Sequence, residues 1–395
     1  MLESPDGIRR TVMEKQNDHT GRLEQIRDLA SQIATERVAP GAADRDRNGG
    51  FPWEAIRYLG ETGLPGVIIS EAAGGIGEGR TSFVSVVHEL ARACASTALI
   101  YTSHVIVAKA IDVAGSETMK TKWLPKLLRC QSVGAFAVHE PDSGSNAGAI
   151  TTKAVKDGDS YIVNGSKFFI TSGGEADAYL ALVRTDPGKG PEGMSTLLID
   201  KETPGFSFGR AEDKMGLRST SSREMFFSDC RVPAENLIGN EGEGLQIIGK
   251  SVIGWGFYGA AAISVSIAKA AVDASIKHAK ERTIAGQPIG IHQGVQFMIS
   301  DMILGSESGE AYLRACSANA DLSPATAALN GFKAKLYASE MAVEVTNKAI
   351  QVLGGHGYCR DYVVERLFRD ARGLTLHFKT SEWLRQDIAK AALGL

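Results

Sequence analysis

The chain has 395 residues, 43% of them apolar and 23% charged, with a formal net charge of −3. That length accommodates two or three domains around a large core, and the composition is that of an ordinary globular protein. The slightly acidic balance disfavours a nucleic-acid or anionic-membrane partner, either of which would favour a basic face. The five cysteines, Cys94, Cys130, Cys230, Cys316 and Cys359, are odd in number and form no C-x-x-C pair. This excludes a disulfide framework and a cysteine zinc site, so free thiols and no metal centre are expected. The N-terminus lacks a basic region followed by an apolar core, so no secretory signal is read. The most apolar long stretch, residues 254–268, is too short and too interrupted by Gly and Ser to span a bilayer. A cytoplasmic protein is the expectation.

Residues 18–130 read mostly as helices. Leu23, Ile26, Leu29 and Ile33 form one apolar stripe, and Phe83, Val86, Val87, Leu90 and Ala91 form another. The glycines between 74 and 79 do not fit a dinucleotide fingerprint, and no strand clearly feeds them, so they read as a loop. The period changes near residue 134. Short β-compatible runs follow at 152–155, 161–163, 167–171, 178–184, 195–200, 206–208 and 225–227. Asp157-Gly158 and Asn164-Gly165 read as hairpin turns, because both residues of each pair tolerate positive φ. From Asn240 the pattern is helical again, with helices expected at 247–278, 293–319, 325–354 and 381–393. The resulting α+β order is a helical domain over 1–132, a β-domain over 133–239 and a helical bundle over 240–395.

Several motifs sit on this frame. Residues 134–145 read Gly-Ala-Phe-Ala-Val-His-Glu-Pro-Asp-Ser-Gly-Ser, and residues 164–171 read Asn-Gly-Ser-Lys-Phe-Phe-Ile-Thr. They are followed in order by 214–219 (Lys-Met-Gly-Leu-Arg-Ser), 232–239, Gln351-Val-Leu-Gly-Gly355, Val364-Glu-Arg366 and Arg369-Asp370-Ala371. Together they resemble the signatures of the acyl-CoA dehydrogenases. The resemblance implies an N-terminal helical domain, a central β-domain and a C-terminal four-helix bundle. It also implies FAD bound between the last two, and an acyl-thioester substrate. It further implies a homodimer or homotetramer and a partner such as an electron-transfer flavoprotein or a carrier protein.

Carried over residue by residue, the resemblance places Phe136, Val138 and His139 along the flavin ring and Gly144 and Ser145 near the flavin or the thioester end. It places Phe169 and Thr171 on the other side of the ring, and Thr380 and Glu382 in the closing motif on the cofactor side. An apolar tricycle wants walls of this kind with a few donors at its edge. Arg282, Gln293, Gln351 and Gly355 match positions that hold the FAD pyrophosphate and adenine across a subunit boundary. The family's aromatic residue before Gly286 is Ala285 here. The larger departure concerns catalysis. The family's closing motif carries a glutamate base where this chain has Phe378, and the alternative base position, near 255–257, holds no carboxylate. A phenyl ring has no lone pair to take a proton. His377 ranks first among the candidate replacements, with His139 and Glu382 behind it. Four readings stay open at this point. They are α,β-dehydrogenation of a thioester with a displaced base, redox-neutral elimination at flavin, a flavin monooxygenase, and a non-catalytic protein of this fold.

Overall fold

The computed structural model describes residues 21–318 and 323–395. The first residues of the helical region read at 18–130, and the last of the expected 293–319 helix, lie outside that range.

The N-terminal part is helical, as its apolar stripes require. The 95–114 helix is its centre: sixteen of its twenty residues are buried, on every face. A helix that is apolar all round belongs in a core or a membrane. This one and the 244–281 run both have the length and composition of membrane spans, yet 78% and 94% of their apolar windows are buried inside the protein. Gly74–Gly79 is a loop that folds back onto 66–69, where Ile76 N and Gly77 N donate to Gly66 O and Ile69 O.

The β-domain is an eight-stranded sheet. Strand β1 is Gly134–Ala137, β2 Lys153–Asp157, β3 Ser160–Ile170 and β4 Ala178–Arg184. Strand β5 is Met194–Asp200, β6 Phe206–Ala211, β7 Arg223–Pro233 and β8 Leu237–Ile238. The strand order is β6-β7-β3-β2-β4-β5-β8, with β1 parallel to β4.

Asp157-Gly158 turns a hairpin as expected, with Asp157 paired to Ser160. Asn164-Gly165 does not. The chain runs straight through it as one strand, and the register against β7 slips between Val163 and Gly165. It is therefore a β-bulge. The reason is tertiary. Asn164 Nδ2 donates to Asp229 Oδ1 at 3.1 Å, and Asp229 N donates back to Asn164 Oδ1 at 2.8 Å, which uses the Asn against a neighbouring strand. Gly165 takes φ +143°, and a Cβ there would lie 2.7 Å from Thr152 Cα. Glycine is needed for close approach, not for a turn.

The C-terminal bundle consists of helices 257–281, 293–317, 324–353 and 363–374, with 381–393 packed after them. The expected 247–278 helix is an α-turn at Gly244–Ile248 followed by a π-helical stretch at Gly249–Gly256, before the long helix begins at Phe257. Small residues let its neighbours close in: a Cβ on Gly259 would meet Thr102 Cγ2 at 2.6 Å, and one on Gly331 would meet Tyr258 at 3.1 Å.

The Arg-Asp-Ala motif staples the three parts. Arg369 pairs with Asp46 at 2.6 Å and with Glu365 at 2.7 Å, which ties the N-terminal helices to the bundle. Buried Asp370 accepts from Leu217 N at 2.6 Å, which ties in the loop of the β-domain.

Candidate active site

The site lies where β1, the end of β3, the π-helical stretch and the 375–380 loop meet. Phe136 on β1 stacks on Phe378, with ring centroids 5.3 Å apart and planes 10° from parallel. Phe257 lies 5.6 Å from the same ring, and Phe332 lies 4.9 Å from Phe257. A Cβ on Gly256 would meet Phe378 Cε1 at 2.6 Å. The two positions at which the resemblance expects a base are thus neighbours in space, and one phenyl ring fills both. The π-helical stretch presents Gly256 here, and such irregular turns concentrate at functional sites.

The loop that carries Phe378 is held from behind. Fully buried Lys335 donates to Thr375 O at 3.1 Å and to Lys379 O at 2.7 Å. Burial pulls its pKa down to about 7. His139 Nε2 donates to Phe378 O at 3.0 Å. Thr380 N reaches Ser145 Oγ at 3.4 Å. Phe378 itself has φ +59°, a conformation that bulky L residues rarely adopt.

These contacts bear on the choice of base. The His377 ring stands edge-on to Phe378, 4.8 Å away. Part of the residue keeps contact with solvent, but its Nε2 is sealed off and has no partner among the described residues. Burial first, then the nearby charges of His139, Lys335 and Lys214, push its pKa to about 3. A nitrogen that weakly basic and shut in is a poor general base near neutral pH. His139 has its one proton-bearing nitrogen on a backbone carbonyl, and burial lowers its pKa. Its Nε2 holds the loop. Glu382 is exposed in the first turn of the 381–393 helix.

The remaining predicted residues differ in exposure. Phe136 and Val138 are buried in the wall. Gly144 is exposed, with φ +50°. Phe169 is 55% exposed despite its size and also takes positive φ, 53°. Thr171 is buried beside it. The hydroxyls of Ser172 and Ser381, next to Thr171 and Thr380, are buried without partners among the described residues. An apolar wall, a projecting aromatic side chain and unsatisfied hydroxyls at the edge suit a flat tricycle with a polar rim. The residues present therefore fit FAD.

Sequence reasoning missed the support of this wall. Lys167 is wholly buried and donates to Glu140 Oε1 at 2.8 Å, Leu182 O at 2.6 Å and Val138 O at 3.3 Å. Glu140 also accepts from Thr151 N at 2.6 Å and Thr152 N at 3.0 Å. Burial would raise its pKa, but the Lys167 charge and these bonds outweigh it and hold it at about 2. The signal was present: both residues lie inside the quoted motifs, and a Lys between apolar neighbours on a core strand demands a partner.

Arg282, Gln293, Gln351 and Gly355 are all exposed. They gather at one end of the bundle, where the His278 and His356 rings are 5.7 Å apart. Phe257 and Phe378 are at the other end of the 25-residue helix. At about 1.5 Å per residue, the ends are about 37 Å apart.

Family models for the acyl-CoA dehydrogenase N-terminal, middle and C-terminal domains match residues 20–131, 135–230 and 242–393. The isobutyryl-CoA dehydrogenase of Dictyostelium discoideum is 38% identical over 348 residues, 88% of this chain and 83% of that protein. The short-chain specific acyl-CoA dehydrogenase of Clostridium acetobutylicum is also 38% identical, covering 92% of this chain and 96% of its own. Among solved structures, butyryl-CoA dehydrogenase from Megasphaera elsdenii superposes with a TM-score of 0.90 at 33% identity, covering 94% of this chain and 98% of its own. The prolyl acyl carrier protein oxidase AnaB does so with a TM-score of 0.88 at 31% identity, covering 95% and 99%. The chain belongs to the acyl-CoA dehydrogenase family and is an FAD-dependent oxidoreductase acting on CH–CH groups.

Proposed function

We propose that this protein acts on a short acyl thioester by a reaction that does not draw on a protein carboxylate. The observation that carries the reading is the single phenyl ring occupying both base positions, with the nearest imidazoles engaged or shut in. The curated relatives named for isobutyryl and short-chain substrates, and the solved butyryl-CoA dehydrogenase, support a short acyl group. Bound FAD supplies hydride acceptance and hydrogen bonding that acidifies the α carbon. The chain's own part is to align and dehydrate. Phe136, Phe257 and Phe378 exclude water from one face, and the 375–380 loop is fixed by Lys335 and His139. Such a site suits substrates whose α-proton is already acidic, or which lose a β leaving group, better than unactivated chains.

The test is anaerobic flavin bleaching with propionyl-, butyryl- and octanoyl-CoA. All three are expected to bleach slowly, since losing a positioned base costs about 10²–10⁴ in rate. Fast bleaching by any of them would refute the reading.

The carrier of the thioester, CoA or an acyl carrier protein, and electron delivery to an electron-transfer flavoprotein belong to the same proposal. So does self-association as a dimer or tetramer. Arg282 and Gln351 are about 37 Å from the site of their own protomer, farther than one extended FAD reaches, so the FAD they serve is a neighbour's. Ile284, Ile291, Phe297 and Tyr358 are exposed around them, which suits a buried contact between copies. Arg282→Ala is expected to lower flavin retention on gel filtration at least about tenfold, with the unfolding midpoint unchanged. A monomer by light scattering that keeps FAD would contradict the shared site.

A further inference from the structure

Other residues anchor the 375–380 loop through its backbone: Lys335 holds Thr375 O and Lys379 O, His139 holds Phe378 O, and Ser145 Oγ meets Thr380 N. The loop's one lysine, Lys379, makes a separate anchor with its own side chain. The ammonium pairs with Asp387 and lies over two rings, 5.5 Å from the centroid of Trp383 and 5.7 Å from that of Phe332. Trp383 and Asp387 are four residues apart on the 381–393 helix and so share one face. That helix begins directly after Lys379, with Thr380 as its N-cap residue. A cation beside a helix N-terminus meets the unfavourable end of the dipole. The long lysine stem carries the charge along the helix instead, to a carboxylate and two ring faces that favour a cation.

The Phe332 ring is 4.9 Å from Phe257, and Phe257 is 5.6 Å from Phe378. The consecutive residues 378 and 379 therefore grip one row of rings at its two ends. Phe378 sits at φ +59°, which a bulky residue keeps only where its surroundings over-determine it.

We propose that Lys379 is the latch of this loop: its contacts with Asp387, Trp383 and Phe332 keep the Lys379–Thr380 end closed, and release of the ammonium is how that end opens. Lys379 is then a positioning residue for Phe378, whatever thioester the site takes. The two lysine anchors differ in kind. Lys335 is fully buried, so salt hardly reaches it. The Lys379 and Asp387 side chains are 20% and 24% exposed, so salt acts on the latch first.

The experiment follows hydrogen exchange in FAD-loaded protein, read residue by residue by mass spectrometry with electron-transfer fragmentation. The amides of Lys379 and Thr380 report the latched end. Those of Leu376 and His377 both donate to Gly373 O and serve as the internal reference. Lys379→Met keeps the stem and removes the charge, and is expected to speed exchange at Thr380 about tenfold, the combined effect of a partly exposed ion pair and two cation–π contacts. Asp387→Asn leaves the rings in place and is expected to give about threefold. Sodium chloride at about 1 M, where charges are screened beyond about 3 Å, is expected to bring the wild type to the Asp387→Asn rate and to leave that variant unchanged. Lys379→Arg is expected to keep the wild-type rate. A Met variant that exchanges at the wild-type rate would overturn the latch. An Arg variant as fast as the Met variant, or an equal salt response in wild type and Asp387→Asn, would overturn the part assigned to charge. An equal rise at Leu376 and His377 would show general loosening in place of a latched end.

Discussion

Phe378→Glu is expected to raise the rate of anaerobic flavin reduction by butyryl-CoA by about 10²–10⁴, the usual contribution of a positioned general base. The carboxylate would replace a ring that now stacks on Phe136 and lies against Gly256. Burial there raises a carboxyl pKa toward neutrality, which suits a base working near pH 7. The backbone is already held in place by Lys335 and His139, so the new side chain inherits a fixed origin. The alternative position behaves differently. Gly256→Glu alone is expected to give no gain, because even its Cβ would be 2.6 Å from Phe378 Cε1. It requires Phe378→Ala in the same chain. Stopped-flow absorbance of the folded, yellow variants is the measurement. No change in Phe378→Glu would mean that the thioester does not lie against residue 378.

The second large effect concerns stability. Glu140→Gln leaves the Lys167 ammonium buried with no counter-charge, and breaking such a pair costs about 3–5 kcal/mol. Lys167→Met leaves Glu140 still served by Thr151 and Thr152, but removes the group that joins Val138 O, Glu140 and Leu182 O. Both are expected to lower the urea midpoint and loosen the flavin wall, seen as lost FAD. The pH dependence has a definite sign. The folded pKa of Glu140, about 2, lies below its ordinary 4.5, so its contribution is complete above that value. It is lost as pH falls from 4.5 toward 2, where the unfolded chain binds the proton first. Glu140→Gln should flatten the acid limb of the stability curve over that window. An acid limb identical to wild type would show that this pair is not what fails in acid.

Much of the fold was legible because it rests on local chemistry. Period-3.6 apolar stripes such as 83–91 and the β-branched and aromatic runs at 178–184 and 195–200 dictate their own secondary structure. The order of helices, sheet and bundle followed from those runs. The motif residues also named two side chains that are buried together near Phe378, Phe136 and Val138.

Other features depend on neighbours far along the chain, and only the tertiary structure decided them. Asn164-Gly165 has the local chemistry of a turn, but Asp229 and Thr152 make it a bulge. His377 looked like the nearest base, yet its basicity is set by burial and by charges on three other elements. That His139 Nε2 meets the Phe378 carbonyl, 239 residues away, is likewise visible only in the folded chain. Most of all, nothing in the order of residues says that positions 256 and 378 touch. Their spacing of more than a hundred residues is closed by helix packing, and only then does one ring fill the place of two possible bases. Sequence determined the elements and the missing carboxylate, because those are properties of single residues and their near neighbours. Which groups can hold or move a proton is a matter of distance and solvent exclusion, and these exist only once the chain has packed.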